Sequence, residues 1–193
     1  MGCDIHMYRE KFVNDQWLAA DNWVAYDYGD DCKGMEVPWK ERFTDRNYSL
    51  FGLLANGVRR SHPFSFEPRG LPFDPSPEIA AESAHWGEYG HSHSYLFLHE
   101  IKAMARYVKE ATIRITGMKH QDELAALRAS IDSGKPDWNL IFPYCQMTNG
   151  RGYVDFEIDI PADFYFGDAL QRIIASFDGV EGENHRIVFF FDN

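Results

Sequence analysis

Near its end the chain carries Ile187-Val188-Phe189-Phe190-Phe191, apolar at every position. A strand with one face in water alternates apolar and polar side chains, because successive Cβ atoms point to opposite faces. A strand that is apolar throughout needs cover on both faces, so Arg186 to Phe191 predicts a central strand between two layers. Tyr153 to Ile160 reads differently. Val154, Phe156, Ile158 and Ile160 face one way and Tyr153, Asp155, Glu157 and Asp159 the other, the pattern of a strand covered on one side.

The remaining elements follow from period and punctuation. Cys3 to Phe12 reads as a strand, Asn14-Asp15 as a turn, and Trp17 to Tyr26 as a second extended segment. Asp27 to Glu41, with Gly29, Gly34 and Pro38, reads as a loop. Asp45 is placed to cap a helix that turns Tyr48, Phe51 and a leucine inward. Residues 61–77 are proline-rich without a period, which predicts a long ordered loop. Ser76-Pro77-Glu78 then starts a helix in the order cap, proline, acid. Further helices are expected from about Tyr95 or Leu98 to Ala111, with Ile101, Met104, Ala105 and Val108 as the apolar stripe, from about His120 to Ile131, and around Asp168 to Phe177. The fold class is α+β: a single domain with a mixed or mainly antiparallel sheet packed by several helices.

At 193 residues the chain is long enough to bury a sizeable core, and at 45% hydrophobic and 16% aromatic it is not composed like a disordered segment. The net charge of -11 opposes binding to duplex nucleic acid, which requires a basic surface. Cys3, Cys32 and Cys145 are odd in number and widely spaced, so reduced thiols are expected. There is no apolar run of membrane-spanning length and no signal-peptide pattern at the N-terminus. Gly2 suggests myristoylation, but His6 stands where that motif requires Ser or Thr. The expectation is a soluble cytoplasmic protein without a membrane partner.

Candidate chemistry gathers in two clusters. In Cys3-Asp4-Ile5-His6, strand alternation puts Asp4 and His6 on one face. In Gly90-His91-Ser92-His93-Ser94, His91 and His93 share a face if the segment is extended. A carboxylate and three imidazoles suit a divalent metal (zinc, manganese or magnesium) or an anionic ligand. A nearby helix N-terminus would favour the anion; equally, the serines would cap the helix and leave the histidines exposed. Cys3-x-x-His6 has zinc spacing but lacks a second half-site.

Arg46, with Asn47 and Tyr48, stands at a predicted first helical turn, where it could clamp a phosphate or carboxylate. Arg69, between Pro68 and Gly70, could close over an anion; a salt bridge or a surface turn explains either arginine as simply. Trp86 is the tryptophan best placed to stack on a base, while Trp17, Trp23 and Trp39 read first as core residues. The row Asp155, Glu157 and Asp159 could hold a metal but reads first as a solvated face. No GxSxG elbow or phosphate-binding glycine loop occurs.

Five segments then stand out as a set: Met1-Gly2-Cys3-Asp4-Ile5-His6, Arg46-Asn47-Tyr48-Ser49-Leu50-Phe51, Pro68-Arg69-Gly70-Leu71-Pro72, Gly90-His91-Ser92-His93-Ser94 and Arg186 to Asn193. Together they resemble, over the whole chain, a family of small uncharacterised proteins of tailed bacteriophages and prophages. The resemblance implies expression in the cytoplasm of a bacterial host and supplies no reaction. Accessory phage proteins of this size often act against host defence or metabolism.

Three functions are therefore expected to compete. In the first, a metal-assisted hydrolase of a small phosphate-bearing, nucleotide-like molecule uses Asp4, His6, His91 and His93 on the metal and Arg46 or Arg69 on the developing charge. In the second, an anti-defence sponge sequesters such a molecule unchanged, with Asn47, Tyr48 and Trp86 among its contacts. In the third, an acidic module engages a basic host protein or mimics DNA. The sequence favours the hydrolase narrowly and leaves the oligomeric state open.

Overall fold

The computed structural model describes residues 2–29, 33–134, 137, 140, 153–180 and 183–192. Cys32 and Cys145, two of the expected thiols, lie outside the described residues; Cys3 is a buried free cysteine. The class is α+β with antiparallel pairing throughout the described strands. The residues divide into two compact units, Met1–Met104 with Ala169–Asn193, and Ala105–Asp168.

The first unit is built on a four-stranded sheet. Its strands are β1 (Asp4–Val13), β2 (Gln16–Ala19), β5 (His91–Phe97) and β8 (His185–Asp192). β8 is central, paired with β1 on one side and β5 on the other. Ile187 to Phe191 are each 0% exposed, as the unbroken apolar run requires. On one face Val188 and Phe190 pack with Tyr8, Val37 and Ile79. On the other, Phe191 meets Phe51 at 5.1 Å between ring centroids. Each buried phenylalanine contributes roughly 1.5–3 kcal/mol relative to exposure.

β1 turns into β2 through Asn14 and Asp15, at φ 52° and 61°. Two successive left-handed residues match the twist of a two-residue hairpin, and Asn and Asp tolerate them. The expected second extended segment is interrupted: β2 ends at Ala19, and β3 (Val24–Asp27) pairs instead with β4 (Lys33–Glu36). The predicted loop from Asp27 to Glu41 thus contains a strand, and then a short 3-10 turn at Trp39–Glu41.

Helix α1 (Tyr48–Leu54) is capped by Asn47, whose side-chain oxygen accepts the N–H groups of Ser49 and Leu50 at 3.1 and 3.0 Å. The cap expected at Asp45 is displaced by two residues, and Asp45 pairs with Arg172 instead. The stretch after α1 has no helix or strand from Arg60 to Ser76. It is fastened by Phe66 N–H to the Leu53 carbonyl at 3.0 Å and Gly70 N–H to the His93 carbonyl at 2.8 Å. Helix α2 (Pro77–Trp86) follows with proline in its first turn; Ser76 precedes it, but its hydroxyl makes no cap bond. Helix α3 (Leu98–Glu110) buries Leu98, Ile101, Ala105 and Val108.

In the second unit, β6 (Thr112–His120) pairs with β7 (Tyr153–Pro161). β6 has no counterpart in the sequence reading. On β7, Phe156 and Ile160 are buried while Asp155, Glu157 and Asp159 are exposed, with Arg114 bridging Glu157 and Asp159. Helix α4 (Gln121–Asp132) buries Leu124 and Leu127, and α5 (Ala162–Phe166) buries Tyr165 and Phe166. The single helix expected from Asp168 to Phe177 is α6 (Ala169–Ala175), in the first unit; α5 was not anticipated. No helix among the described residues is long and apolar enough to cross a membrane.

Candidate functional site

β1 is bonded to β8 from Asp4 to Lys11, but β2 covers only Glu10 to Val13. Among the described residues, the first half of β1 therefore has a free edge. The phase of the backbone follows from two bonds: Phe12 N–H donates to the Asn184 carbonyl on the β8 side, and Ala20 N–H donates to the Arg9 carbonyl on the outer side, both at 2.8 Å. Even-numbered residues face β8 and odd-numbered ones face outward. Arg9 N–H is satisfied by Asp21 at 2.6 Å. By the same phase, Ile5 and Met7 turn their N–H and C=O groups to the outer side, at a stretch of β1 that β2 does not reach.

Along this edge lies a cavity of about 470 Å³ lined by Asp4 to Tyr8, by Trp39, by Arg42 to Arg46, and by Trp86 and Asp192. Successive residues of β1, from both of its faces, line it, as expected for a cavity along a strand edge. Its walls are aromatic. Trp86 lies 4.2 Å from the His6 ring, and its indole N–H donates to Glu82 Oε1 at 3.1 Å. Tyr8 donates its hydroxyl to the same oxygen at 3.0 Å, so one carboxylate fixes two wall residues. Burial, then Glu82, pushes the Tyr8 phenol far above its ordinary range. Trp39 is 72% exposed, with the Arg42 guanidinium 6.0 Å from its ring.

The charged groups are mostly committed. Arg46 holds Asp4 through two bonds of 2.7 and 2.6 Å. Arg42 donates to Glu36 at 2.6 Å and to the Val37 carbonyl at 2.5 Å. Asp192 accepts Asp4 N–H at 3.0 Å. His6 Nε2 stands 3.7 Å from Asp192 Oδ2, beyond hydrogen-bond length, and has no hydrogen-bond partner among the described residues. Burial pushes the His6 imidazole below its ordinary value despite Asp192 and Glu82, which pull it upward.

The predicted residues fall in separate places. Asp4 and His6 share a face, as alternation requires, and both line the cavity. His91 and His93 do not share one, because Ser92 at φ 52° forms a bulge between His91 and Ser94. His91 stacks toward Phe191 at 6.1 Å and His93 on Phe190 at 4.8 Å, and those phenylalanines point to opposite faces. The histidines belong to a strand rather than to a helix N-terminus. His93 Nε2 is 2.9 Å from Ser83 Oγ. Asp4, His6, His91 and His93 thus do not form one ligand set, and no group of three His, Cys, Asp or Glu able to hold a metal occurs among the described residues.

Arg46 and Trp86 line the cavity. Asn47 spends its carbonyl oxygen on the α1 cap, and Tyr48 lies under the Arg59 guanidinium at 5.5 Å. Arg69 is clamped by Glu100 at 2.9 and 2.6 Å and sits over Tyr95, away from the cavity. The sequence reading missed Phe43, Glu82 and Asp192, and it placed Trp39 in the core. A tryptophan directly after Pro38, in a stretch without period, was the available signal for an exposed ring. Asp192 had none, since only the β1–β8 register puts it opposite Asp4.

No protein-family model, curated protein or solved structure matches the chain. The chemistry is therefore read from the cavity. It combines paired backbone donors and acceptors, aromatic walls, and carboxylates able to accept from hydroxyl groups.

Proposed function

We propose that the chain binds a small nucleotide-like molecule in the β1 cavity and holds it without chemistry. One observation carries this reading: the edge of β1 at Ile5 and Met7, which β2 does not cover, lines a cavity together with Trp39 and Trp86. Open backbone groups reward a ligand with alternating donors and acceptors, and indoles reward a flat ring. Volumes of about 300–1,000 Å³ are those of small-molecule sites, which this cavity matches. With the phage resemblance, the same geometry supports sequestration of a host signal.

The test incubates the protein with linear, cyclic and NAD-derived nucleotides and nucleosides, with and without divalent metals. The filtrate and the heat-denatured fraction are then separated by chromatography. The expected result is a compound lost from the filtrate and returned unaltered after heating, with the loss abolished by Trp39→Ala. A panel left wholly in the filtrate would refute binding.

Turnover is the second reading, favoured by His6 Nε2 beside the Asp192 carboxylate. An imidazole with a carboxylate close by supplies the two groups of a general base and its orienter, and the 3.7 Å gap would have to close for the carboxylate to orient the ring. A new product in the same incubation selects it.

A further inference from the structure

We propose that the β1 cavity recognises the neutral nucleoside end of its ligand, an aminopurine with its sugar, and discriminates against phosphate. This inference rests on the binding reading above and adds the selectivity of the site.

The argument starts from charge. Next to the free edge stand two carboxylates, Asp4 and Asp192, and one guanidinium, Arg46, which is already bidentate on Asp4. Arg42 is committed to Glu36 and a backbone carbonyl, and Asp45 to Arg172. Burial disfavours the charged form of the His6 imidazole, which works against its serving as a cation for phosphate. A phosphate entering here would share Arg46 with Asp4, whose charge already offsets that of the guanidinium, and would lie beside two carboxylates. Like charges brought together in a partly desolvated site repel strongly.

The same carboxylates suit a sugar. Asp192 spends one oxygen on Asp4 N–H, and its other oxygen stands 3.7 Å from His6 Nε2, with no hydrogen bond to it among the described residues. A carboxylate is an acceptor only, so a hydroxyl that donates to it gains a charge-assisted bond. Acidic side chains hold ribose hydroxyls in dinucleotide sites for this reason.

The backbone edge selects the base. Ile5 and Met7 each present a donor and an acceptor side by side. The edge of adenine that carries N7 and the 6-amino group offers the complement, an acceptor beside a donor, whereas the corresponding edge of guanine offers two acceptors. A guanine there leaves a strand carbonyl facing a carbonyl oxygen, and an unpaired buried polar group costs about 1–3 kcal/mol.

Isothermal titration of the full chain with adenosine, AMP, ADP and guanosine tests the proposal. Adenosine should bind at least about tenfold more tightly than AMP, with ADP weaker still and guanosine weaker than adenosine. Asp192→Asn should narrow the gap between adenosine and AMP by removing one repelling charge. The wild-type series decides by itself if that variant misfolds. Affinity that rises from adenosine to AMP to ADP, or equal binding of guanosine and adenosine, would overturn the selectivity while leaving the binding reading intact. No binding by any of the four, with another nucleotide retained in the panel, also overturns the selectivity alone. A panel with nothing retained overturns both.

Discussion

His6 and His93 stand on opposite sides of one ring, each stacked on Phe190 at a centroid distance of 4.8 Å. The arrangement follows from strand order, because β1 and β5 both pair with β8 and Phe190 lies between them. Neighbouring strands are about 4.7–4.9 Å apart, so the imidazoles sit about two strand spacings from each other. Zinc–nitrogen bonds are about 2.0–2.1 Å, and the two rings are too far apart to share an ion.

Phe190→Ala removes the ring that both imidazoles stack on and leaves a cavity in the core beside Val188. A loss of about 3–5 kcal/mol is expected in urea denaturation. A loss under about 1 kcal/mol would show that the ring does not anchor this layer.

Stability should fall as pH drops below the ordinary imidazole value of 6.5, because burial holds His6, His62, His93 and His185 below it in the folded state. Between the two values the unfolded chain binds more protons, so the unfolding free energy rises with pH. The contribution is complete above the unfolded value and is lost as pH falls through it towards the folded values. Urea midpoints at about pH 7.5 and 5.5 measure this, and a flat profile across that window contradicts it.

Arg186→Met leaves Glu10 buried without its partner. The pair lies at 2.6 Å with Glu10 0% and Arg186 3% exposed, and the guanidinium sits 3.9 Å from the Trp17 ring. Breaking a buried pair from one side costs about 3–5 kcal/mol, whereas replacing both partners with apolar residues costs much less. Denaturation of Arg186→Met beside the double variant with Glu10→Leu separates the cases. Equal losses would mean that packing rather than the orphaned charge sets the cost.

Ser92→Gly should be neutral or stabilise by up to about 1 kcal/mol, since glycine adopts the left-handed conformation of the bulge without strain. Ser92→Val should destabilise, because a β-branched side chain resists that backbone. The reverse order in thermal unfolding would remove the bulge as the reason that His91 and His93 diverge.

Much of the fold was legible because periodicity is local. The apolar run at Ile187 to Phe191 implied a central strand, and alternation on β7 implied a one-faced one. Asn14-Asp15 implied the hairpin. The hairpin of β3 and β4 was hidden by Gly29 and Gly34, which read as loop punctuation, and β6 by Arg114, Thr116 and Gly117, which dilute its short alternation. The helix cap moved from Asp45 to Asn47 because either residue can cap, and packing of Leu50, Phe51 and Leu53 fixed the phase of α1.

The sequence by itself determined that Asp4 and His6 share a face, since that follows from the two-residue repeat of a strand. Tertiary structure alone decided what they meet. One left-handed residue at Ser92 sends His91 and His93 to different faces, and the β1–β8 register brings Asp192 to Asp4 across 188 residues of chain. The early end of β2 opens the edge on which the cavity forms. Register, bulge and strand length are settled by the packing of distant segments, and no local pattern of side chains encodes them.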